Sequence, residues 1–208
     1  MTGKLIVFEG GEGSGKSSHV RLTADFLQQH QHPVVTTHEP GDTAIGKVLR
    51  NLILNEPVAT RAELLLFLAD RAQHIAELIK PALDRGTTVL CDRFTGSTLA
   101  YQVGARRLQP EDLIVEMEAF ARDGVEPDLT IYLNMDPKLG IQRKLNQPNH
   151  TMNSFDDFDL EFHQAVHDYF VDYATDRPNW VMVDASRSLT EVQFDINQIV
   201  SQLYADTH

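Results

Sequence analysis

Eight residues, Gly10-Gly11-Glu12-Gly13-Ser14-Gly15-Lys16-Ser17, carry the most specific chemical signal in this sequence. They satisfy the pattern G-x-x-x-x-G-K-[ST], and each fixed position answers to a phosphate chain. Glycines let the backbone curl into a concave nest with its N–H groups facing inward, and the helix that follows adds the positive end of its dipole. The Lys16 ammonium reaches β- and γ-phosphates, and the Ser17 hydroxyl is a ligand for Mg²⁺. Ser18 closes the cradle as a helix-start residue. The plainer alternative, a glycine-rich turn with an incidental lysine, does not account for the strand that precedes the motif.

A second signal is Asp92-Arg93, which follows the apolar run Thr87–Cys91. A carboxylate at the carboxyl end of a parallel strand lies on the sheet edge where such folds bind ligands. That expectation puts Asp92 near the metal and Arg93 near phosphate. A surface ion pair is the bland reading of the same two residues.

These groups need a scaffold, and the sequence supplies one. Short apolar runs at Leu5–Glu9, Val34–His38, Thr87–Cys91, Leu129–Asn134 and Trp180–Asp184 alternate with longer amphipathic stretches. That alternation predicts an α/β fold of the P-loop NTPase type, with about five parallel strands flanked by crossover helices. Arg61–Leu83 is the longest helical pattern, and Val192, Ile196, Ile199, Val200 and Leu203 form the apolar face of the last. The 208 residues fit one domain, 1–208, with no room for two sizeable ones. Asn146–Ser154 is polar and aperiodic and is expected to be a loop.

Composition narrows the function classes. A net charge of −12 repels polyanions, so nucleic acid is not expected as a partner. The single cysteine, Cys91, cannot form an internal disulfide, which points to a reducing, cytoplasmic setting. No apolar stretch approaches a membrane span, and no membrane partner is expected.

The sequence resembles the thymidylate kinase family, which phosphorylates dTMP to dTDP with ATP and Mg²⁺ on the route to dTTP. The resemblance rests on Glu9-Gly10, Glu39-Pro40-Gly41, Phe67-Leu68-Ala69-Asp70-Arg71, Asp92-Arg93-Phe94, Ser97-Thr98-Leu99-Ala100-Tyr101-Gln102, Pro127–Leu133 and Asp184-Ala185, in that order. It implies that Phe67 stacks on thymine, although core packing is the rival reading, and that Arg71, one helical turn on, donates to a thymine carbonyl. It implies that Ser97, Thr98 and Gln102 line the base and sugar pocket, and that Tyr101 closes on the deoxyribose, with core packing again the rival reading. Arg50 and Arg93 match arginines that hold the acceptor phosphate, a task suited to a forked guanidinium. Glu12 matches an acid facing the nucleotide 3′-hydroxyl and metal, Pro40 shapes the acceptor loop, and Arg187 falls near the adenine. A homodimer is the family's common state.

Two departures stand out. Relatives usually carry Arg-Glu-Pro-Gly-Gly-Thr where this chain has His38-Glu39-Pro40-Gly41-Asp42-Thr43. Their lid, expected here at about 143–156, usually holds catalytic arginines; this chain has Asn153-Ser154-Phe155-Asp156 and no arginine from 144 to 176. Arg143 is then the expected transition-state cation, with Lys144 second, unless Arg143 only caps its helix. The catalytic set is Lys16, Asp92, Arg93 and Arg143, with Ser17 and Asp92 on the metal. A kinase of another nucleoside monophosphate, or a nucleotide-binding paralogue impaired in catalysis, remain as alternatives.

Overall fold

The computed structural model describes residues 3–146 and 159–205. Five strands, β1 (Leu5–Glu9), β2 (Val34–His38), β3 (Thr88–Asp92), β4 (Leu129–Asn134) and β5 (Trp180–Asp184), form one sheet in the order β2-β3-β1-β4-β5. Every neighbouring pair runs parallel, so each strand must be followed by a crossover rather than a tight turn. β3 starts and ends one residue later than the sequence suggests. The shift brings Asp92 into the ladder, opposite Phe8 on one side and His38 on the other. Glu9, His38 and Asp92 thus end three adjacent strands at one edge.

Alternate residues of a strand face opposite sides, and both sides here are apolar. Ile6, Phe8, Leu90, Ile131 and Leu133 form a core with α1 (Lys16–Gln29) and α9 (Leu189–Ala205). On α9 the expected stripe of Val192, Ile196 and Val200 is buried. On the other side, Leu5, Val7, Val89 and Cys91 meet Ile75, Ile79 and Ala82.

After β2 comes α2 (Ala44–Asn55), and the long helical pattern expected at Arg61–Leu83 becomes α3 (Thr60–His74), a π-helical turn (Ile75–Ile79) and α4 (Lys80–Asp84). The π turn falls just before Pro81, whose ring would otherwise meet the carbonyl four residues back. After β3 come α5 (Thr95–Thr98), a second π-helical segment (Leu99–Ala105) and α6 (Glu111–Arg122). α7 (Pro137–Leu145) follows β4, and α8 (Leu160–Thr175) leads to β5. Most of the expected loop, and Asn153, Ser154, Phe155 and Asp156 of the expected lid, lie outside the described residues. Among the described residues no helix is long and apolar enough to cross a membrane.

One backbone contact fixes α7 against the phosphate loop. Gly13 sits at φ 70°, a region that favours glycine, and a Cβ there would lie 1.9 Å from the Gly140 carbonyl oxygen. A Cβ on Gly140 would lie 2.3 Å from the carbonyl oxygen of Glu12. Neither residue can carry a side chain without moving the helix off the loop, so the pair sets which residues of α7 face the cleft.

Candidate active site

The carboxyl ends of β1, β2 and β3 open into a cleft of about 720 Å³. Its floor is the glycine loop between β1 and α1. Gly15, at φ 90°, turns the chain into α1, so the first N–H groups of that helix face the cleft. Lys16 is buried and donates from Nζ to the carbonyl oxygens of Gly10 (3.0 Å) and Gly11 (2.8 Å). Burial, helped by the nearby Arg93, pulls its ammonium down to about 8. Beside it, Ser17 Oγ donates to Asp92 Oδ2 at 2.6 Å, bringing a hydroxyl from α1 against a carboxylate from β3.

Across the loop stands Arg93. Its φ of 72° is left-handed, a conformation that costs a non-glycine residue roughly 1–2 kcal/mol and that swings its side chain back over the phosphate loop. Nη2 donates to Glu12 Oε1 at 2.7 Å, and Nη1 donates to Ser97 Oγ at 3.0 Å and to the Gly10 carbonyl at 3.3 Å. Burial alone would lower this guanidinium's pKa, but Tyr101, Glu12 and Asp92 around it raise it instead. Lys144 Nζ donates to the other oxygen of Glu12 at 2.7 Å, and the Tyr101 hydroxyl donates to Glu12 Oε1 at 3.2 Å. Burial would raise the Glu12 carboxyl; Arg93, Lys16 and Lys144 together hold it far below the usual carboxylate range.

The deeper end of the cleft is built on Arg71. Its Nε and Nη2 donate to Glu39 Oε2 at 2.8 and 2.6 Å, and Nη1 donates to Thr98 Oγ1 at 2.9 Å and to Glu118. Half-buried Phe67 lines the same end, one helical turn before Arg71. Gln102 donates from Nε2 to Glu63 Oε1 at 2.9 Å, and Arg106 also grips Glu63. Because Arg106 keeps Glu63 an acceptor, the amide nitrogen of Gln102 must face it. Gln102 Oε1 is therefore turned the other way, a buried acceptor with no hydrogen-bond partner among the described residues.

The cleft brings together most residues named from the sequence. Glu12, Gly13, Gly15, Lys16, Ser17 and Ser18 line the loop end, with Asp92 and Arg93 between. Pro40, Arg50, Phe67, Arg71, Ser97, Thr98, Tyr101 and Gln102 line the rest. Arg50 Nη1 donates to the Pro40 carbonyl at 2.7 Å, and Gly41, at φ 118°, gives that side chain room to pass. Asp42 does not need a left-handed backbone, so the glycine usual at its position in relatives is dispensable here. Gly10, Gly11 and Ser14 shape the loop without lining the cleft; Ser14 Oγ ties back to the Gly11 carbonyl at 2.9 Å.

Two residues do not go where the sequence suggests. Arg143 does not line the cleft: its Nη1 and Nη2 donate to the carbonyl oxygens of Ala185 and Ser186, both at 2.8 Å, and tie α7 to the segment after β5. Its neighbour Lys144 faces the cleft instead. Arg187 also lies off the cleft lining and pairs with Asp195 at 2.5 Å. Glu39, Glu63 and Glu118 were not legible as site residues. Only Glu39 had a local signal, in its Glu-Pro-Gly motif.

Comparison with known proteins gives one consistent result. The sequence model of a family described as thymidylate kinase matches residues 8–196. A protein named thymidylate kinase from Legionella pneumophila (strain Paris) is 41% identical over 206 residues, covering 97% of this chain and 96% of its own length. One from Gloeobacter violaceus is 42% identical over 199 residues, covering 94% and 93%. One from Bifidobacterium longum (strain NCC 2705) is 40% identical over 210 residues, covering 98% and 100%.

Glu9 underlies the whole arrangement and yields a pH test. Its Oε1 accepts from the Phe94 and Ser97 N–H groups, both at 2.9 Å, and Oε2 accepts from Ser97 Oγ at 2.5 Å, holding the turn from Arg93 to Tyr101. Burial pushes its carboxyl up to about 7, against hydrogen bonds from Ser97 and the charge of Arg93. The native state thus takes up a proton between the ordinary glutamate value and about 7; the stability this contributes is present at acid pH and lost as pH rises through about 7. Glu9→Gln should remove that slope and gain up to ~3 kcal/mol over wild type above neutrality. Urea unfolding from pH 5 to 8 tests it, and parallel stability profiles for the two proteins would refute it.

Proposed function

The chain belongs to the thymidylate kinase family, and from that premise we infer that its cleft transfers the γ-phosphoryl group of ATP to the 5′-phosphate of dTMP, giving dTDP and ADP. The observation that carries the choice of base is the orphaned Gln102 Oε1. A buried acceptor without a donor costs about 1–3 kcal/mol until a ligand supplies one. Thymine offers the N3–H, and the carbonyl beside it suits the guanidinium of Arg71. Cytosine reverses both, presenting a ring acceptor to Gln102 and an amino donor to Arg71. Phe67 offers its ring face to the base, and Tyr101, pinned between Arg93 and Glu12, excludes a ribose 2′-hydroxyl by size.

Chemistry follows from positioning and charge. Arg50 and Arg93 hold the acceptor phosphate so that one of its oxygens faces the γ-phosphorus in line with the leaving ADP oxygen. The inward N–H groups and Lys16 take the donor phosphates, with Lys16 exchanging its loop carbonyls for phosphate oxygens. Ser17 and Asp92, an all-oxygen pair at 2.6 Å, suit Mg²⁺, which when bound neutralises charge on the donor phosphates. Transition-state charge on the γ-phosphoryl oxygens needs a further cation, and we assign it to Lys144 rather than Arg143. Residues 1–208 act as one kinase domain, with the lid at about 143–156. The buried Cys91 thiol supports a reducing, cytoplasmic setting.

We assign the exposed apolar stripe Ile45, Val48 and Leu52 of α2, beside Leu65 of α3, to contact with a second copy of the chain. These four side chains are 38–62% exposed, which is unusual for so much aliphatic surface on two packed helices.

Four measurements test these assignments. An ADP-release assay over an acceptor panel should favour dTMP over dUMP by about 10–200-fold, and over dCMP by about 10⁴-fold or more; equal rates on dTMP and dCMP overturn the base reading. In the same assay Gln102→Leu should raise KM for dTMP about five- to 150-fold and leave KM for ATP unchanged. Lys144→Ala should lower kcat by at least ~10²-fold with little change in either KM, whereas Arg143→Ala should mainly lower Tm; the opposite pattern returns the role to Arg143. Sedimentation should find dimers, and monomers for Val48→Asp. A wild-type monomer at micromolar concentration would remove the interface.

A further inference from the structure

A row of hydrogen-bonding groups runs beneath the cleft, from the acceptor loop to the base-binding arginine. Thr37 Oγ1 lies 2.6 Å from Asp42 Oδ2 and 2.6 Å from His74 Nε2. His74 Nδ1 lies 2.9 Å from Glu39 Oε1, and Glu39 Oε2 accepts from Arg71. Each of the three contacts Asp42–Thr37, Thr37–His74 and His74–Glu39 needs one hydrogen. Thr37 brings one, a neutral imidazole brings one, and two carboxylates bring none. With neutral histidine the row is one proton short, and some pair of acceptors must face each other without a hydrogen.

Three sites could take the missing proton. Burial would raise the Glu39 carboxyl, but Arg71 and His74 hold it below the ordinary range, so Glu39 stays ionised. The Asp42 side chain is 30% exposed, so water reaches its oxygens and can supply hydrogen bonds there. The imidazole sits between them, with both nitrogens aimed at oxygens. The other charged and titratable groups around it are Asp70 and Arg71 on its own helix, His38 at the end of β2, and the Cys91 thiol of β3.

We propose that His74 is a positioning residue for the acceptor, held as an imidazolium between Asp42 and Glu39, so that one proton locks the acceptor loop and Arg71 into a single arrangement. This rests on reading the deep end of the cleft as the dTMP site. When the proton leaves, one link of the row opens. If Asp42 leaves Thr37, the loop loosens that carries Pro40, which holds Arg50, and Gly41, whose N–H donates to Asp70 at 3.1 Å. If Glu39 leaves His74, Arg71 loses the group that orients it. Either break weakens the acceptor side, and the donor loop takes no part in the row.

Asp42→Asn separates this role from mere structural support. An asparagine amide can donate to Thr37, so all three links form with a neutral imidazole and the row needs no extra proton. The measurements are ring ¹⁵N spectra of the full chain, with His74 picked out from the nine histidines by its loss in His74→Gln, and KM against pH. In wild type both ring nitrogens should carry hydrogen at pH 7, and KM for dTMP at saturating ATP should rise about fivefold or more toward pH 9, one hydrogen bond's worth. In Asp42→Asn the ring should be singly protonated and KM for dTMP flat. Thr37→Val, which cuts the row, should raise KM for dTMP at every pH. A singly protonated wild-type ring at pH 7, or a pH profile of Asp42→Asn that matches wild type, overturns the proposal. Failure of dTMP to stimulate ADP release at any pH would instead overturn the acceptor reading, and the ring spectra would still decide where the proton sits.

Discussion

The guanidinium of Arg71 is the tie on which the acceptor half of this molecule depends. It is 2% exposed, and it joins the loop after β2 through Glu39, α5 through Thr98 and α6 through Glu118. Taking one cation and two carboxylates out of water is costly, and such clusters often add little net stability over an apolar core. What the cluster supplies is direction. An apolar contact would let α3, α5 and α6 slide by fractions of an ångström, whereas a planar fork with four donated hydrogen bonds admits one geometry. Phe67 and Gln102 inherit their places from it, since one lies on the helix of Arg71 and the other on the π-helical segment continuing from Thr98.

The donor half is organised by a different means, close backbone approach. Gly13 and Gly140 let α7 rest directly on the phosphate loop, with no side chain between. That contact sets the rotation of α7, and the rotation decides between two neighbouring cations. Successive helical residues point about 100° apart. With Gly140 against the loop, Lys144 faces Glu12, while Arg143 faces the carbonyls after β5.

How much of this was legible in the sequence follows from the range of each interaction. The strands were readable almost to the residue because a buried parallel strand is a local run of apolar and β-branched residues, as in Leu5–Phe8 and Leu129–Leu133. The phosphate loop was readable because its spacing is local as well. Glu118 and Glu63 were not, since their partners Arg71 and Arg106 lie 47 and 43 residues away and no local pattern marks them. The choice between Arg143 and Lys144 was beyond reach because it depends on helix rotation, which the contact with Gly13 fixes from outside α7. Asp42 looked like a defect in a glycine pair, yet the left-handed position belongs to Gly41 alone.

Glu12 gives the cleft a property that its cations alone would not. It is an anion anchored inside an anion-binding loop, gripped by Arg93 and Lys144 and close to Lys16. Without it, three positive charges would repel one another across a partly dried space. With it, they are already arranged, and in the reaction we propose a phosphate enters by exchange with that resident carboxylate. The affinity given up in that exchange is recovered when the reaction is over. Each departing phosphate leaves its cations to a tethered counter-ion rather than to empty space, and the energetic step down to release is shallower. An internal competitor of this kind trades grip for turnover.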